Sequence, residues 1–410
     1  MLQPCFIATL ILAFVVGAQA AEPLKSADFT PAEQCGTCHQ EIYQQWRGSM
    51  HSRAATDSVF WKFYEQAWRD TRGEVGAACL TCHTPVATVT KELRPTGRVT
   101  LPLELSLMAK DGVTCDFCHT IAGNENFGRN IGLGMYRYPR RGDTQVKYGT
   151  HADAVTPAHG TGISAMLRQS DLCAICHKFT HPVSGFVVQD TYAEWKAGPY
   201  AREGRTCQGC HMPEYTGSSA TNSPVRRDLS AHVFPGGHTD MVKKAATVTL
   251  WAKVRTGSNR SRVQITGLVI NSGSGHLLPS GLPGIRELWL EMAVRDGQGV
   301  SLATQRFPFG VELLGADGKP AMFWNATRLG KDTRIGPRKS RESELQWTPA
   351  RTDFEPVDVV GTLYYRLISE SAAQAAGLKP SPPIPIASDL IRISSDGQVE
   401  RKVAPVGDNQ

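Results

Sequence analysis

Cys35-Gly36-Thr37-Cys38-His39 decides the reading of this chain, because the pattern recurs. Cys79-Leu80-Thr81-Cys82-His83, Cys115-Asp116-Phe117-Cys118-His119, Cys173-Ala174-Ile175-Cys176-His177 and Cys207-Gln208-Gly209-Cys210-His211 repeat Cys-x-x-Cys-His. The chain has 410 residues and 11 cysteines, and ten of the cysteines lie in these motifs. Chance at this composition supplies about 0.01 such motifs. Two thiols three positions apart can both bond the vinyl groups on one haem edge, and the next residue then lies under the iron as its proximal imidazole. A thioredoxin-like pair needs no following His, zinc sites pair Cys-x-x-Cys units and five is odd, and disulfides explain no His at all. The expectation is five covalently bound haem c groups, attached through Cys35, Cys38, Cys79, Cys82, Cys115, Cys118, Cys173, Cys176, Cys207 and Cys210. His39, His83, His119, His177 and His211 are the proximal iron ligands.

Seven histidines remain for the far side of each iron: His51, His151, His159, His181, His232, His238 and His276. Five stand in turn-rich settings. His51 follows Gly48, His159 precedes Gly160, His232 and His238 bracket Val-Phe-Pro-Gly-Gly, and His276 sits in Ser-Gly-Ser-Gly-His before Pro279. These five are the candidate distal ligands, and His151 and His181 lack such settings. Met212 directly follows the fifth motif, too close to its proximal His to reach the opposite face.

Working outward, residues Phe6–Val16 form an apolar run broken only by Thr9, and Ala18-Gln19-Ala20 offers small residues for cleavage. Residues 1–20 read as a secretory signal, although no Lys or Arg precedes the run. Cys5 lies before it, the wrong place for a lipoprotein site. Haem attachment of this kind belongs outside the cytoplasm, so the expected location is the periplasm or cell exterior. No later segment is apolar enough to span a bilayer.

Residues 21–245 are expected to form a mostly helical and irregular pentahaem domain. Asp57 to Asp70 reads as a helix with Asp57 or Ser58 as cap and Phe60, Phe63, Tyr64, Ala67 and Trp68 on one face. Thr191 to Glu203 reads as a second helix broken at Gly198-Pro199, and Ser164 to Cys173 as a helical lead into the fourth motif. Residues 120–162 read as an irregular excursion. From residue 246 to 410 the texture alternates, as in Thr247–Val254, Arg262–Ile270 and Leu288–Arg295, with later strands around 343–347, 359–367 and 390–394. The expectation is an all-β, immunoglobulin-like sandwich that contributes the His276 loop.

Several stretches carry a family resemblance. Gln34 through Trp46 and Ser49-Met50-His51, Gly112 through His119, Cys207 through Pro213, and Ser274-Gly-His-Leu-Leu-Pro279 with the Trp-Leu-Glu segment after it resemble the cytochrome c-554-type multihaem cytochromes. That family is related to the haem cores of hydroxylamine oxidoreductase and multihaem nitrite reductase. The resemblance implies electron shuttling outside the cytoplasm, closely stacked haems, and His51, His159, His232, His238 and His276 as distal ligands. The chain departs from it in number, with five motifs against four haems in the name-giving member.

The formal charge is +6, but ten haem propionates and five ferric centres would bring it to about +1. Nucleic acid is therefore not an expected partner. Arg137, Arg140 and Arg141 read as a solvated loop. The expected partners are redox proteins or a quinol-oxidising membrane cytochrome. Two functions compete: an electron carrier with every iron closed by two His, and a reductase or oxidase of a small nitrogen or sulfur compound at one five-coordinate haem. The Cys-x-x-Cys-Lys site of pentahaem nitrite reductases is absent from the sequence, and electron transfer is the favoured reading.

Overall fold

The computed structural model describes residues 23–93, 99, 102–124, 136–137, 146–257, 260–351 and 354–402. The segment read as a signal and Cys5 lie outside the described residues, as do Arg140 and Arg141.

The first half is built from short helices and small hairpins. Its longest helix, α1 (Ser58–Asp70), begins where its cap is: the Asp57 carboxylate accepts from the Val59 N–H at 2.8 Å. Trp61, Phe63, Tyr64 and Ala67 fall on its buried face. The motifs ride on single turns such as Leu80–His83, Cys115–His119 and Cys207–His211. Helix α2 (Thr191–Ala197) stops at Gly198, and a short turn of helix resumes at Pro199–Arg202, as the Gly-Pro pair dictates. The lead into the fourth motif is not one helix. It divides into a 3₁₀ turn at Ala165–Arg168 and an α turn at Asp171–Ala174, parted by an extended Gln169.

The second half consists of antiparallel strands in two main sheets. The strands are β1 (Thr247–Thr256), β2 (Ser261–Ile270), β3 (Glu287–Arg295), β4 (Ser301–Phe309), β5 (Ser340–Trp347), β6 (Val357–Arg366), β7 (Ile384–Ile393) and β8 (Val399–Lys402). One sheet runs β5–β2–β1 and the other β4–β3–β6–β7–β8. Pairing is regular: Val263 faces Val254 on one side and Trp347 on the other, and Leu290 faces Phe307 and Leu363. Alternate residues turn inward, so Val263, Ile265, Leu288, Leu290, Met292, Val359 and Leu363 fill one core between the sheets. Each such side chain contributes about 1.5–3 kcal/mol by leaving water. The sheets approach so closely at Gly267 that a Cβ there would lie 2.6 Å from Leu290 Cδ2. Immunoglobulin-like connectivity is not established by this strand order. The hairpin Val311–Leu314 with Arg328–Asp332 lies outside both sheets and was not foreseen.

A further cluster joins the halves. Phe63 and Ala67 of α1 pack with Leu313, Phe323, Trp324, Ala326 and Ala372. The Trp324 indole N–H donates to Asp70 at 2.9 Å, and its carbonyl accepts from His181 Nε2 at 2.8 Å.

Candidate haem sites

Four of the five proximal candidates share one local device. Nδ1 of His39 meets the Ser219 carbonyl at 2.6 Å, that of His83 the Ala54 carbonyl at 2.9 Å, that of His119 the Tyr148 carbonyl at 2.7 Å, and that of His211 the Pro235 carbonyl at 2.6 Å. A carbonyl only accepts, so Nδ1 carries the proton and donates, and Nε2 keeps its lone pair for a metal. Three of the spare histidines use the same device: His159 to Gly160, His232 to Ser230 and His276 to Leu277, each at 2.9 Å.

The rings then meet in pairs. His39 and His159 stand 6.5 Å apart between centroids, His51 and His177 6.5 Å, His119 and His232 6.1 Å, and His211 and His276 6.5 Å. An iron between two imidazole nitrogens at about 2.0 Å each requires about 6.3 Å between ring centroids. The residues present therefore fit a six-coordinate haem iron at four places. Three of these pairs have rings within 26° of parallel, and His51 with His177 is tilted by 50°.

For the fifth candidate, His238, no ring contact with a motif histidine is found among the described residues. Burial lowers its pKa, and the neighbouring charges of Arg286 and Arg53 lower it further. Among the described residues no histidine ring contacts His83. Phe60 of α1 stacks on it instead, with centroids 3.7 Å apart and planes 9° from parallel. His151 lies 3.9 Å from Asp228. His181 is buried with both nitrogens engaged, Nε2 on Trp324 and Nδ1 accepting from the Val183 and Ser184 amides.

Burial also disfavours the charged form of several of these rings, as suits ligands. It pushes His51 down to about 3, with His177 adding to the shift. His177 and His232 are each pushed down to about 4, again by burial first and then by His211 and His119 respectively. His83, His119 and His276 are lowered by the same cause.

The His51 segment is held by main chain. Its carbonyl accepts from the Val113 N–H at 3.0 Å, and Trp46 Nε1 donates to the Val113 carbonyl at 2.8 Å. Gly112 makes this possible: its φ is +68°, and a Cβ there would lie 2.5 Å from the His51 carbonyl oxygen.

None of the ten motif cysteines is in a disulfide. Motifs distant in sequence abut through their thiols. Cys35 meets Cys115, Cys82 meets Cys176, and Cys173 meets Cys207. Cys118 lies near enough to raise the Cys173 and Cys176 thiols. The five motifs thus form one contiguous set.

Sequence reasoning missed the buried Asp116 inside the third motif. Its carboxylate pairs with Lys147 at 2.5 Å and accepts from the Thr30 N–H at 2.7 Å, tying the N-terminal segment to that site. An acidic residue between two cysteines was the available signal. The carbonyls that orient each imidazole had none.

The comparisons agree with this arrangement. Residues 34–120 match the family model described as cytochrome c554 and c-prime. A solved structure, a penta-heme cytochrome c552 from Thermochromatium tepidum, is similar with a TM-score of 0.67 and 24% identity, over 91% of this chain and 100% of that one. A putative beta-galactosidase from Bacteroides fragilis aligns over 37% of this chain and 17% of its own with 9% identity, but its TM-score of 0.21 carries no argument. No curated protein matches the chain. The chain thus resembles the cytochrome c554 and c-prime family over residues 34–120, and its fold resembles that of a solved penta-heme cytochrome. Among the described residues no helix is long and apolar enough to cross a membrane.

Proposed function

We propose that this chain is a five-haem electron-transfer protein working outside the cytoplasm, with redox proteins or a quinol-oxidising membrane cytochrome as partners. The observation that carries the reading is the set of four histidine pairs at 6.1–6.5 Å. His39 with His159, His177 with His51, His119 with His232 and His211 with His276 would each hold one iron from both sides. Haem c bound there supplies a one-electron ferric/ferrous couple. A site closed on both faces admits no substrate, so the residues hold, orient and desolvate. The abutting thiols of Cys35 and Cys115, Cys82 and Cys176, and Cys173 and Cys207 support passage of electrons along the set.

The second reading, a reductase or oxidase of a small nitrogen or sulfur compound, is favoured by one feature. His83 has Phe60 against its ring and no opposing histidine among the described residues. Its iron is the one place where an exogenous ligand fits the pairing.

Carbon monoxide titration of the fully reduced protein tests both. The expected result is one carbon monoxide per chain, rising to two in His51→Ala and staying at one in His238→Ala. None bound would mean that the fifth iron is closed and would remove the second reading. Four or five bound to the wild type would overturn the pairing.

A further inference from the structure

Three of the histidine pairs draw both members from the first half of the chain. The fourth does not: His211 ends the short helix Cys207–His211, whereas His276 lies in the loop between β2 and β3. The distance across that pair is therefore only as fixed as the contact between the two halves at this point.

The loop is braced from its own side by Asn271, which is fully buried. The Asn271 amide donates to the His276 and Ile335 carbonyls at 2.9 and 3.0 Å and accepts from the Ser274 N–H at 3.0 Å. Leu278 and Ile335 exchange two backbone hydrogen bonds at 2.9 Å. These bonds shape the loop but do not aim it at His211.

Four polar links cross to the first half near the loop, one of them between the Thr191 and Ser280 hydroxyls at 2.9 Å. Arg338 meets Glu203 at 2.5 and 2.8 Å, but both side chains are more than two-fifths exposed, and such pairs are worth little. Tyr200 donates to the Ser272 carbonyl at a long 3.4 Å. The fourth link is Glu194 of α2, whose side chain is 11% exposed. Its Oε2 accepts from the Leu277 N–H at 3.3 Å and the Ser280 hydroxyl at 2.7 Å, and its Oε1 from Arg334 Nη1 at 2.9 Å. Arg334 is held in turn by Asp332, at 2.8 Å through Nη2. One carboxylate thus gathers the residue after His276, the loop's far end and the strand-side arginine.

We propose that Glu194 is a positioning residue that latches the His276 loop over the fifth haem motif, so that its loss opens that iron. The inference rests on the reading of His276 as the ligand opposite His211. A buried carboxylate whose acceptor sites are filled by a backbone amide, a hydroxyl and a guanidinium has little freedom to let the loop swing. Removing it leaves the Leu277 amide unpartnered at this contact and Ser280 with only the Thr191 hydroxyl, while Arg334 keeps Asp332.

The test is carbon monoxide binding to the reduced holoprotein, alongside absorption spectra and melting curves. Glu194→Ala is expected to bind one more carbon monoxide per chain than the wild type, and His276→Ala likewise. The double variant is expected to gain one and not two, which identifies the same iron. Glu194→Gln, which keeps one acceptor oxygen, gains only a fraction. Arg338→Ala gains none, although it also cuts a link between the halves. If His276→Ala gains one and Glu194→Ala none, the latch is overturned and the ligand reading stands. If His276→Ala gains none, both fall. Should Glu194→Ala fail to assemble, Glu194→Gln and Ser280→Ala carry the test, and unchanged binding in both overturns the latch.

Discussion

The two halves of the molecule are ordered by different things. In the β half, alternating residues from both sheets meet in one continuous apolar core that needs nothing but the chain. In the first half the buried clusters are smaller, and cysteines of the motifs lie packed against them. The helices there are mostly single turns, such as Leu80–His83, Leu107–Lys110 and Asp171–Ala174, far shorter than the roughly 12–15 residues an isolated helix needs to persist. Ten thiols and the paired imidazoles sit where a second kind of core would be. A sheet half that is complete in itself carries a haem half that is completed by what its motifs bind.

The sharpest way to break this contrast is to withhold the haem. A chain made without haem attachment is expected to lose amide hydrogen-exchange protection throughout 23–245 while β1–β8 keep theirs. Equal protection in both halves would mean that the first half has a self-sufficient core, and the contrast would be wrong.

The same contrast explains what could be read in advance. The motifs stand in adjacent residues, and the β strands show period-two alternation, so both were legible. The Asp57 cap and the Gly198-Pro199 break were legible because their causes are local. Which motif each distal candidate would face was not, because the pairing depends on contacts far away in sequence. The His51 carbonyl meets Gly112 and Val113, and the residue after His276 meets Glu194. His238 also has a promising turn beside it, and the charges of Arg286 and Arg53 act on it. His83 was counted with the rest because sequence could show a surplus of histidines but not that Phe60 stacks on this one. The hairpin from Val311 was missed for a different reason: its strands are short and mostly exposed, which leaves no alternation to see.

A middle-sized effect is expected where the halves meet. Trp324 is 1% exposed, packs on Phe63 and Ala67, and donates to Asp70. Trp324→Ala should cost about 3–5 kcal/mol. If this cluster couples the halves, urea unfolding of the variant should split into two transitions, one followed by haem absorption and one by the β signal. A single transition merely shifted to lower urea would show that coupling lies elsewhere, with the Glu194 contact the next place to look.

The smallest expected effect probes how far the haem half depends on ordinary helix chemistry. Asp57→Ala removes the one side-chain cap of α1, a loss of about 1 kcal/mol, and for a chain of this size a melting shift of about 2 °C. The first turn of α1 carries Phe60, which lies on the His83 ring, so fraying there should reach the one motif whose histidine has no ring partner among the described residues. The expected signature is a change in carbon monoxide affinity at that motif's iron, with the four paired irons unaltered and Asp57→Asn restoring both readings. A melting shift without any spectral change would instead show that Phe60 is held by the packing of Trp61 and Tyr64 rather than by the start of its helix. In that case even the longest helix of the first half would owe its order to the haem side of the molecule and not to its own cap.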